Sequence, residues 1–280
     1  MSEFLDALLA HGFLQNALIA AILAGVGCGV VGTFVVVKRI GYLAGGIAHT
    51  VLGGMGVAYY MGADPRIGAA FAAIVAAMLI GWISLRWKQH EDIVIGALWA
   101  TGMAIGIVFI SRTPGYNVDL MSYLFGNILL VSPSDLVVMA GLDAVVIALV
   151  ALFYKQLVAV CFDEEFARVR GVRVDAIYLL LLCMVAVTVV SLIQVVGLIL
   201  VIALFTLPAA IAGQYVASVG AMILVACGLG AVFGVSGLAL SYATNLPSGA
   251  TIILLAGIVY LISLALTRLA YRRIVRCQGR

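Results

Sequence analysis

Long apolar runs, separated by short charged or turn-forming segments, occur along the whole chain and constrain its fold more than any other feature. A helix needs about 20 apolar residues to cross roughly 30 Å of bilayer hydrocarbon, whereas the strands of a membrane barrel give only a weak alternating pattern. Charged residues make up 10% of the chain, against about 25% in soluble domains. The pattern therefore predicts an all-α integral membrane protein.

The runs define nine candidate helices in a single transmembrane domain over residues 1–280, so we expect a polytopic bundle of eight to nine spans. They lie at 17–37, 40–61, 67–87, 93–111, 135–154, 176–195, 197–212, 219–241 and 250–270. The segment 119–132 is too short to cross and is predicted to be re-entrant or interfacial. Residues 1–16 predict an amphipathic amino-terminal segment, with a short helix over 2–16 that lies on the outer surface.

The orientation follows from the basic residues, because cytoplasmic loops retain lysine and arginine during insertion. With the amino terminus outside and nine crossings, 13 of the 15 basic residues fall on the inner side, and Arg66 and Arg112 remain outside. We therefore predict a multi-pass protein of the cell inner (plasma) membrane with its carboxyl terminus in the cytoplasm. The loop at 213–218 carries no charge. The orientation of the last four spans therefore follows only from the number of membrane crossings.

His49 lies deep in the second predicted span, with Gly45, Gly46 and Gly53 on the same helix face. Counted from Arg39 at the predicted cytoplasmic boundary, ten residues at 1.5 Å each place it about 15 Å into the membrane. An ionisable imidazole on a glycine-interrupted helix is typical of a substrate path. A packing histidine bonded to a backbone carbonyl accounts for the pattern equally well.

Asp143 is the other ionisable residue well inside a predicted span, and no basic residue lies near it on the same helix. A carboxylate at this depth can bind a cation in transit. Protonation or a hydrogen bond to a neighbouring helix is the favoured interpretation, because an isolated charge in hydrocarbon is costly. Because a carboxylate can also bind a cation, Asp143 is kept as the second candidate for a metal path, after His49.

The largest polar insertion on the predicted inner side is segment 163–175. Glu164 and Glu165 precede Arg168, an order that complements the dipole of a short helix, and Gly171 is a suitable helix stop. Such a helix suits docking of a cytoplasmic partner, and a solvated connector explains it as well. Because no segment is long and polar enough to form a soluble catalytic domain, energy must come from an ion gradient or from another polypeptide.

Five segments, taken together, resemble the membrane permeases of zinc, manganese and iron ATP-binding-cassette importers. They are GVVGTFVVVKRIGYLAGGIAHTVLGG (29–54), DLMSYLFGNILLVS (119–132), DEEFARVRGVRVD (163–175), GLILVIALFTLPAAIA (197–212) and GLALSYATNLPSGATIILLAG (237–257). Each is a weak apolar match by itself, but the set stands in the family order and extends over most of the chain.

The resemblance implies a fold like that of the cobalamin-type (type II) importers and transport of a divalent metal ion, zinc or manganese before iron, into the cytoplasm. Two permease copies would form a homodimer, cytoplasmic ATPase subunits would hydrolyse ATP, and an extracytoplasmic metal-binding protein would deliver the ion. We expect no catalytic residue, no bound cofactor and no nucleic-acid partner for this chain. The coupling helix at 163–175 would contact the ATPase through Glu164, Glu165, Ala167, Arg168 and Gly171.

One position departs from the family pattern, in which an aspartate stands one helical turn before the histidine of the second span, as D-x-x-x-H. Here that position is Gly45. A carboxylate and an imidazole on one helix face suit zinc or manganese, whereas His49 alone offers one nitrogen per copy. A metal chelate or another small solute is therefore an alternative cargo.

A transporter driven by an ion gradient is the alternative from another class. Such a carrier is expected to hold several carboxylates or a charge relay within the membrane, and Asp143 is the one clear example in this sequence. An intramembrane enzyme is the least favoured class, since the sequence contains no H-E-x-x-H motif, serine–histidine pair or paired catalytic aspartates.

Cysteine labelling tests the predicted orientation, in which 112–134 faces outward and 155–175 faces the cytoplasm. In a background where the five native cysteines are replaced, an impermeant thiol reagent added to intact cells should modify Gly115→Cys and leave Glu165→Cys unmodified. Permeabilised cells provide the control, because both positions should then react. Modification of Glu165→Cys in intact cells would overturn the topology.

Overall fold

The computed structural model describes residues 2–86, 91–113 and 126–278. These ranges contain eleven α-helices and no strand, which confirms the all-α fold class. The helices are α1 (Ser2–Ala10), α2 (Gly12–Lys38), α3 (Gly41–Tyr60), α4 (Pro65–Arg86), α5 (Glu91–Ser111), α6 (Pro133–Phe162), α7 (Glu164–Val169), α8 (Val174–Val196), α9 (Leu198–Tyr215), α10 (Val219–Thr244) and α11 (Ser248–Gln278). A 3-10 turn covers Ile128–Leu130.

Eight helices of the described chain are long and apolar enough to cross a membrane, which confirms a bundle of about eight to nine spans. Helix α3 is not among the eight, because its glycines, tyrosines and His49 lower its hydropathy, but its 20 residues still reach about 30 Å. Helices α6 and α11 run past the predicted ends at 154 and 270. The reason is that hydropathy marks the part of a helix in lipid, whereas the hydrogen-bonded helix continues into the interface.

Two weaker predictions need correction or fall partly outside the described residues. The amino-terminal segment 1–16 is not one helix, because His11 adopts an extended conformation (φ −124°, ψ 114°) between α1 and α2. The predicted re-entrant segment 119–132 lies outside the described residues as far as 125. Its remainder forms the 3-10 turn, where the Asn127 side chain accepts a hydrogen bond from the Leu129 amide.

Helix α2 is the centre of the bundle and packs against α6, α8, α9 and α10. Its backbone comes close to α10 at two glycines. A Cβ built on Gly25 would lie 2.6 Å from the Gly230 carbonyl carbon, and one on Gly29 would lie 2.6 Å from the Cys227 Cα. In lipid such close packing replaces the hydrophobic drive between helices, so these glycines hold the bundle together.

Helix α3, which carries His49, lies between α4 and α5 and also contacts α8 and α9. Its glycines meet glycines of both neighbours, Gly54 against Gly68 of α4 and Gly56 against Gly106 of α5. The backbones therefore approach closely on two sides, and α3 is held rigidly along its length.

The apolar run from 176 to 212 is divided at Gly197, where the predicted break between two spans is confirmed. Gly197 has φ 80° and ψ 162°, a conformation that only glycine adopts without strain. Gly126 packs against this break, since a Cβ there would lie 2.7 Å from the Val196 carbonyl oxygen. The segment that precedes α6 is thereby fastened to the α8–α9 junction.

Ion pairs at the helix ends agree with the predicted relative sides of the loops. Arg66 Nη2 lies 2.8 Å from Asp135 Oδ1, which joins the predicted outer ends of α4 and α6. Lys38 Nζ lies 2.7 Å from Glu164 Oε1, which joins the predicted inner end of α2 to α7. These contacts establish which helix ends share a side, and the labelling experiment identifies the cytoplasmic one.

The short helix predicted within 163–175 is present as α7, Glu164–Val169. The Asp163 carboxylate caps its amino end by accepting a hydrogen bond from the Phe166 amide at 2.9 Å. Gly171 follows the helix with φ 79°, the left-handed conformation typical of a residue just past a helix end. Helix α7 thus forms a compact turn between α6 and α8.

Replacement of Gly230 by leucine should lower the melting temperature of the purified protein by several degrees. Its Cβ would fall 2.9 Å from the Gly25 Cα, so α2 and α10 would have to separate. Gly228 is the matched control, because it lies on the same helix with open space at its Cβ position. Thermal unfolding in detergent should show no loss for Gly228→Leu, and equal losses in both variants would contradict the close contact.

Candidate functional site

His49 follows Gly41, the first residue of α3, by eight residues, which places it about 12 Å along the helix. It is buried, with 8% of its surface exposed. The imidazole stacks on the Trp99 indole of α5, with ring centroids 3.9 Å apart and planes inclined by 15°. Its Nδ1 atom has no hydrogen-bond partner within the described residues. The ring is therefore held in position, and its buried Nδ1 atom is unpaired within the described chain.

Gly45 belongs to the same local cluster as His49. A Cβ built on it would lie 3.2 Å from Trp99 Cζ3 and 3.9 Å from Ile202 Cδ1 of α9. The Tyr42 ring, one turn nearer the start of α3, lies 6.0 Å from the Trp99 ring between centroids. The position that the family pattern fills with a carboxylate is thus next to the imidazole and faces the edge of an aromatic ring.

Gly46 and Gly53, the other two predicted path-lining glycines, face packed neighbours in this structure. A Cβ on Gly46 would lie 2.6 Å from Ile95 Cγ2 of α5, and one on Gly53 would lie 2.8 Å from the Gly102 carbonyl oxygen. Within the described chain their observed role is to let α3 and α5 approach. A role in lining a path remains a prediction for these two residues.

Asp143 lies in α6 and is buried, with 4% of its surface exposed. Its carboxylate faces Gly27 of α2, where a Cβ would collide with Oδ1. His49 packs against α5, whereas Asp143 packs against α2, so the structure places the two predicted metal-path residues in different parts of the bundle.

Few metal ligands meet within one copy of the chain. The described residues contain no group of three or more histidine, cysteine, aspartate or glutamate side chains placed to hold a metal ion. Within one described copy, His49 is thus not part of a ready-made set of metal ligands.

The residues of the predicted coupling helix separate into buried and accessible ones. Glu165 is exposed, Glu164 is paired with Lys38, and Arg168 is paired with Asp175 at 2.6 Å. Ala167 is fully buried against the bundle. The prediction that Ala167 contacts an ATPase therefore needs correction, because in this structure its methyl group anchors α7 and is not accessible.

Sequence reasoning did not identify three residues that the structure places at these sites. Trp99 lies 50 residues further along the chain and stacks on His49. The sequence feature that could have identified it is an indole in the middle of an apolar span. Phe166 and Val169 are exposed apolar residues on α7, at 53% and 87%. They give the tip of α7 an apolar surface between its charges.

This architecture is that of a polytopic helical permease, and known proteins match it over nearly its whole length. The chain belongs to the ABC 3 transport family, whose sequence profile matches residues 10–267. This finding confirms the resemblance inferred from the five sequence segments.

Two relatives and two solved structures illustrate the match. An uncharacterized membrane protein, slr2045, of Synechocystis sp. is 49% identical over 96% of this chain and 95% of its own length. The manganese transport system membrane protein MntC of Halalkalibacterium halodurans is 36% identical over 93% and 89%. A chain of PsaBC from Streptococcus pneumoniae, solved with a Fab, superposes with a TM-score of 0.85 at 35% identity, covering 94% of both chains.

An inward-facing transporter described as of metal-chelate type superposes with a TM-score of 0.74 over 93% of this chain and 88% of its own. Its sequence identity is 12%, so this likeness concerns the fold alone. Together with PsaBC it confirms that the bundle has the architecture of ABC importer permeases.

Aspartate should be tolerated at position 45 and not at position 46. A Cβ atom at Gly45 requires only the edge of the Trp99 ring, 3.2 Å away, to shift by a few tenths of an ångström, whereas a Cβ atom at Gly46 would lie 2.6 Å from Ile95 Cγ2. We expect Gly45→Asp to retain wild-type abundance and to bind divalent metal more tightly, and Gly46→Asp to be poorly expressed. Thermal unfolding with and without manganese or zinc measures both effects. Loss of folding in Gly45→Asp would contradict the predicted space.

Proposed function

We propose that this chain is the permease subunit of an ATP-binding-cassette importer that carries a divalent metal ion into the cytoplasm. The observation that carries the proposal is His49, a buried imidazole in the middle of a membrane helix with an unengaged Nδ1 atom. An ionisable group at this depth is costly to keep without a function. Family membership supports ATP as the energy source over an ion gradient.

Two indications of the cargo point to different metals. Relatives named for manganese transport favour manganese. A site with imidazole and no carboxylate is better suited to zinc, because manganese prefers oxygen ligands. We therefore propose manganese or zinc as the cargo, with iron as the third candidate.

The second permease copy completes the site in this proposal. One copy contributes a single imidazole nitrogen, and two copies facing each other across a symmetry axis contribute two. Tight stacking on Trp99 holds each ring in place, so the ligand geometry requires little ordering when the metal arrives. Weak coordination by few ligands also favours release, which transport requires.

The partners follow from the same architecture. Two cytoplasmic ATPase subunits dock on α7, whose exposed residues are Glu165, Phe166, Arg168 and Val169. An extracytoplasmic metal-binding protein delivers the ion at the opposite face. The apolar tip and the surrounding charges of α7 have the composition of a protein contact, since aromatic side chains are enriched where two proteins meet.

A metal chelate is the second candidate cargo, and Gly45 is the observation that favours it. Replacing the family carboxylate by glycine removes both a ligand and a negative charge from the path. A chelated metal brings its own ligands and needs fewer from the protein. Uptake of free and chelated metal by the same vesicles separates the two cargoes.

Substitution of His49 by alanine should reduce uptake of the transported metal by about tenfold or more, because it removes the ligand nitrogen from the path. His49→Gln keeps much of the side-chain volume but lacks the imidazole. It should also lose uptake, which would show that lost packing volume is not the cause. Asp143→Asn is the matched control: it removes a buried ionisable group in another part of the bundle and should leave uptake unchanged. Uptake of manganese, zinc and iron is measured in vesicles containing the full transporter, together with abundance and thermal stability.

Wild-type uptake of all three metals by a stable His49→Ala variant would make His49 a packing residue. A loss of uptake in Asp143→Asn alone would move the path to α6 and α2. Uptake of a chelate with no uptake of any free ion would select the second candidate cargo.

A further inference from the structure

One lysine side chain joins the inner ends of three helices. Lys38 is the last residue of α2, and its Nζ atom donates to Glu164 Oε1 at 2.7 Å and to the Val160 carbonyl oxygen at 2.8 Å. Val160 lies in the last turn of α6, and Glu164 is the first residue of α7. The ammonium group therefore ties α2 to the point where α6 ends and α7 begins.

The electrostatic environment makes this link strong. The last carbonyls of a helix lack amide partners and carry partial negative charge, so a cation there is stabilised. Lys38 meets the end of α6 and the Glu164 carboxylate at once. The two side chains are 16% and 25% exposed, whereas those of the Arg168–Asp175 pair are 58% and 62% exposed. Water and salt therefore screen the Lys38 pair much less.

Lys38 is also connected tightly to the helix that carries His49. Arg39 adopts a left-handed conformation (φ 62°), and the Ile40 amide donates to the Val35 carbonyl at 3.0 Å. Helix α3 begins at the next residue, Gly41. With a two-residue, hydrogen-bonded connection, a displacement of Lys38 has to move the start of α3.

Between α3 and α7 the inner face is not closely packed. A cavity of about 210 Å³ lies beside the ion pair, and Lys38, Glu164, Leu43 and Tyr178 are among the residues that line it. The Lys38–Glu164 contact bridges α2 and α7 at the edge of this cavity.

We infer that the Lys38–Glu164 ion pair transmits movement of α7 to the α2–α3 connection and so to His49. Lys38 is then a positioning residue for the coupling of ATP hydrolysis to metal transport. The inference rests on the proposed function, in which α7 docks the ATPase. It adds the mechanical link between that docking helix and the proposed metal path.

The test uses the complete transporter, with its ATPase and its metal-binding protein, in liposomes. Transport of manganese or zinc and ATP hydrolysis are measured together, and the ratio of metal moved to ATP hydrolysed is the readout. Lys38→Met and Glu164→Gln each remove one charge with little change in side-chain size. Both should lower the ratio about tenfold, because either change breaks a partly buried ion pair. Lys38→Met, which lies outside the predicted ATPase contact, should do so while ATPase co-purification and basal hydrolysis are retained.

Two further variants separate coupling from simple structural damage. Lys38→Glu combined with Glu164→Lys restores an ion pair and should recover part of the lost ratio; recovery stays partial because the reversed charges oppose both helix dipoles. Asp175→Asn breaks the exposed pair on the same face and should keep the wild-type ratio. A merely structural role would lower thermal stability without changing the ratio.

A wild-type ratio in stable Lys38→Met and Glu164→Gln variants would overturn the inference. Loss of ATPase co-purification in Lys38→Met would also overturn it, because the pair would then only shape the docking surface. The docking proposal is tested separately by Phe166→Asp, which should abolish co-purification. Normal co-purification of Phe166→Asp would reject docking on α7 whatever the result for Lys38.

Discussion

Close approach of glycine-bearing helix faces is the interaction on which the rest of this bundle depends. Lipid tails are as apolar as leucine, so helices in a bilayer gain little by hiding apolar side chains from them and associate mainly through packing. The α2–α10 contact at Gly25 and Gly230 brings two backbones together without intervening side chains. The α3–α5 contact at Gly53 and Gly102 does the same. These contacts set the helix positions to which the functional residues are attached.

The same packing explains the surroundings of His49. Because α3 and α5 approach at their glycines, Trp99 of α5 is brought face to face with the imidazole. The stack uses one face of the ring and leaves the edge with Nδ1 free of protein hydrogen bonds within the described chain. Apolar contacts alone thus fix the orientation of the imidazole, on which the proposed metal path depends.

Charges are placed at the helix ends, where water and the polar headgroups are available. On the predicted inner side, Lys38 at the end of α2 bonds to the end of α6 and to the first residue of α7. On the opposite side, the Arg66–Asp135 ion pair joins α4 and α6. Between these layers the described spans carry almost only apolar and small residues. The ionic contacts of the described chain thus join helices at their ends, and apolar and small side chains pack between these two layers.

The sequence by itself determined the membrane class, the approximate spans, the break at Gly197 and the short helix α7, because hydropathy and backbone preference are local properties. It also identified His49 and Asp143 as deep ionisable residues. Only the tertiary structure decided that Trp99 covers His49, that Ala167 turns inward, and that Lys38 reaches Glu164 across 126 residues. Such contacts depend on which helix faces meet, and in this bundle the meeting faces are selected by the pairing of small residues from distant segments, which no local pattern specifies.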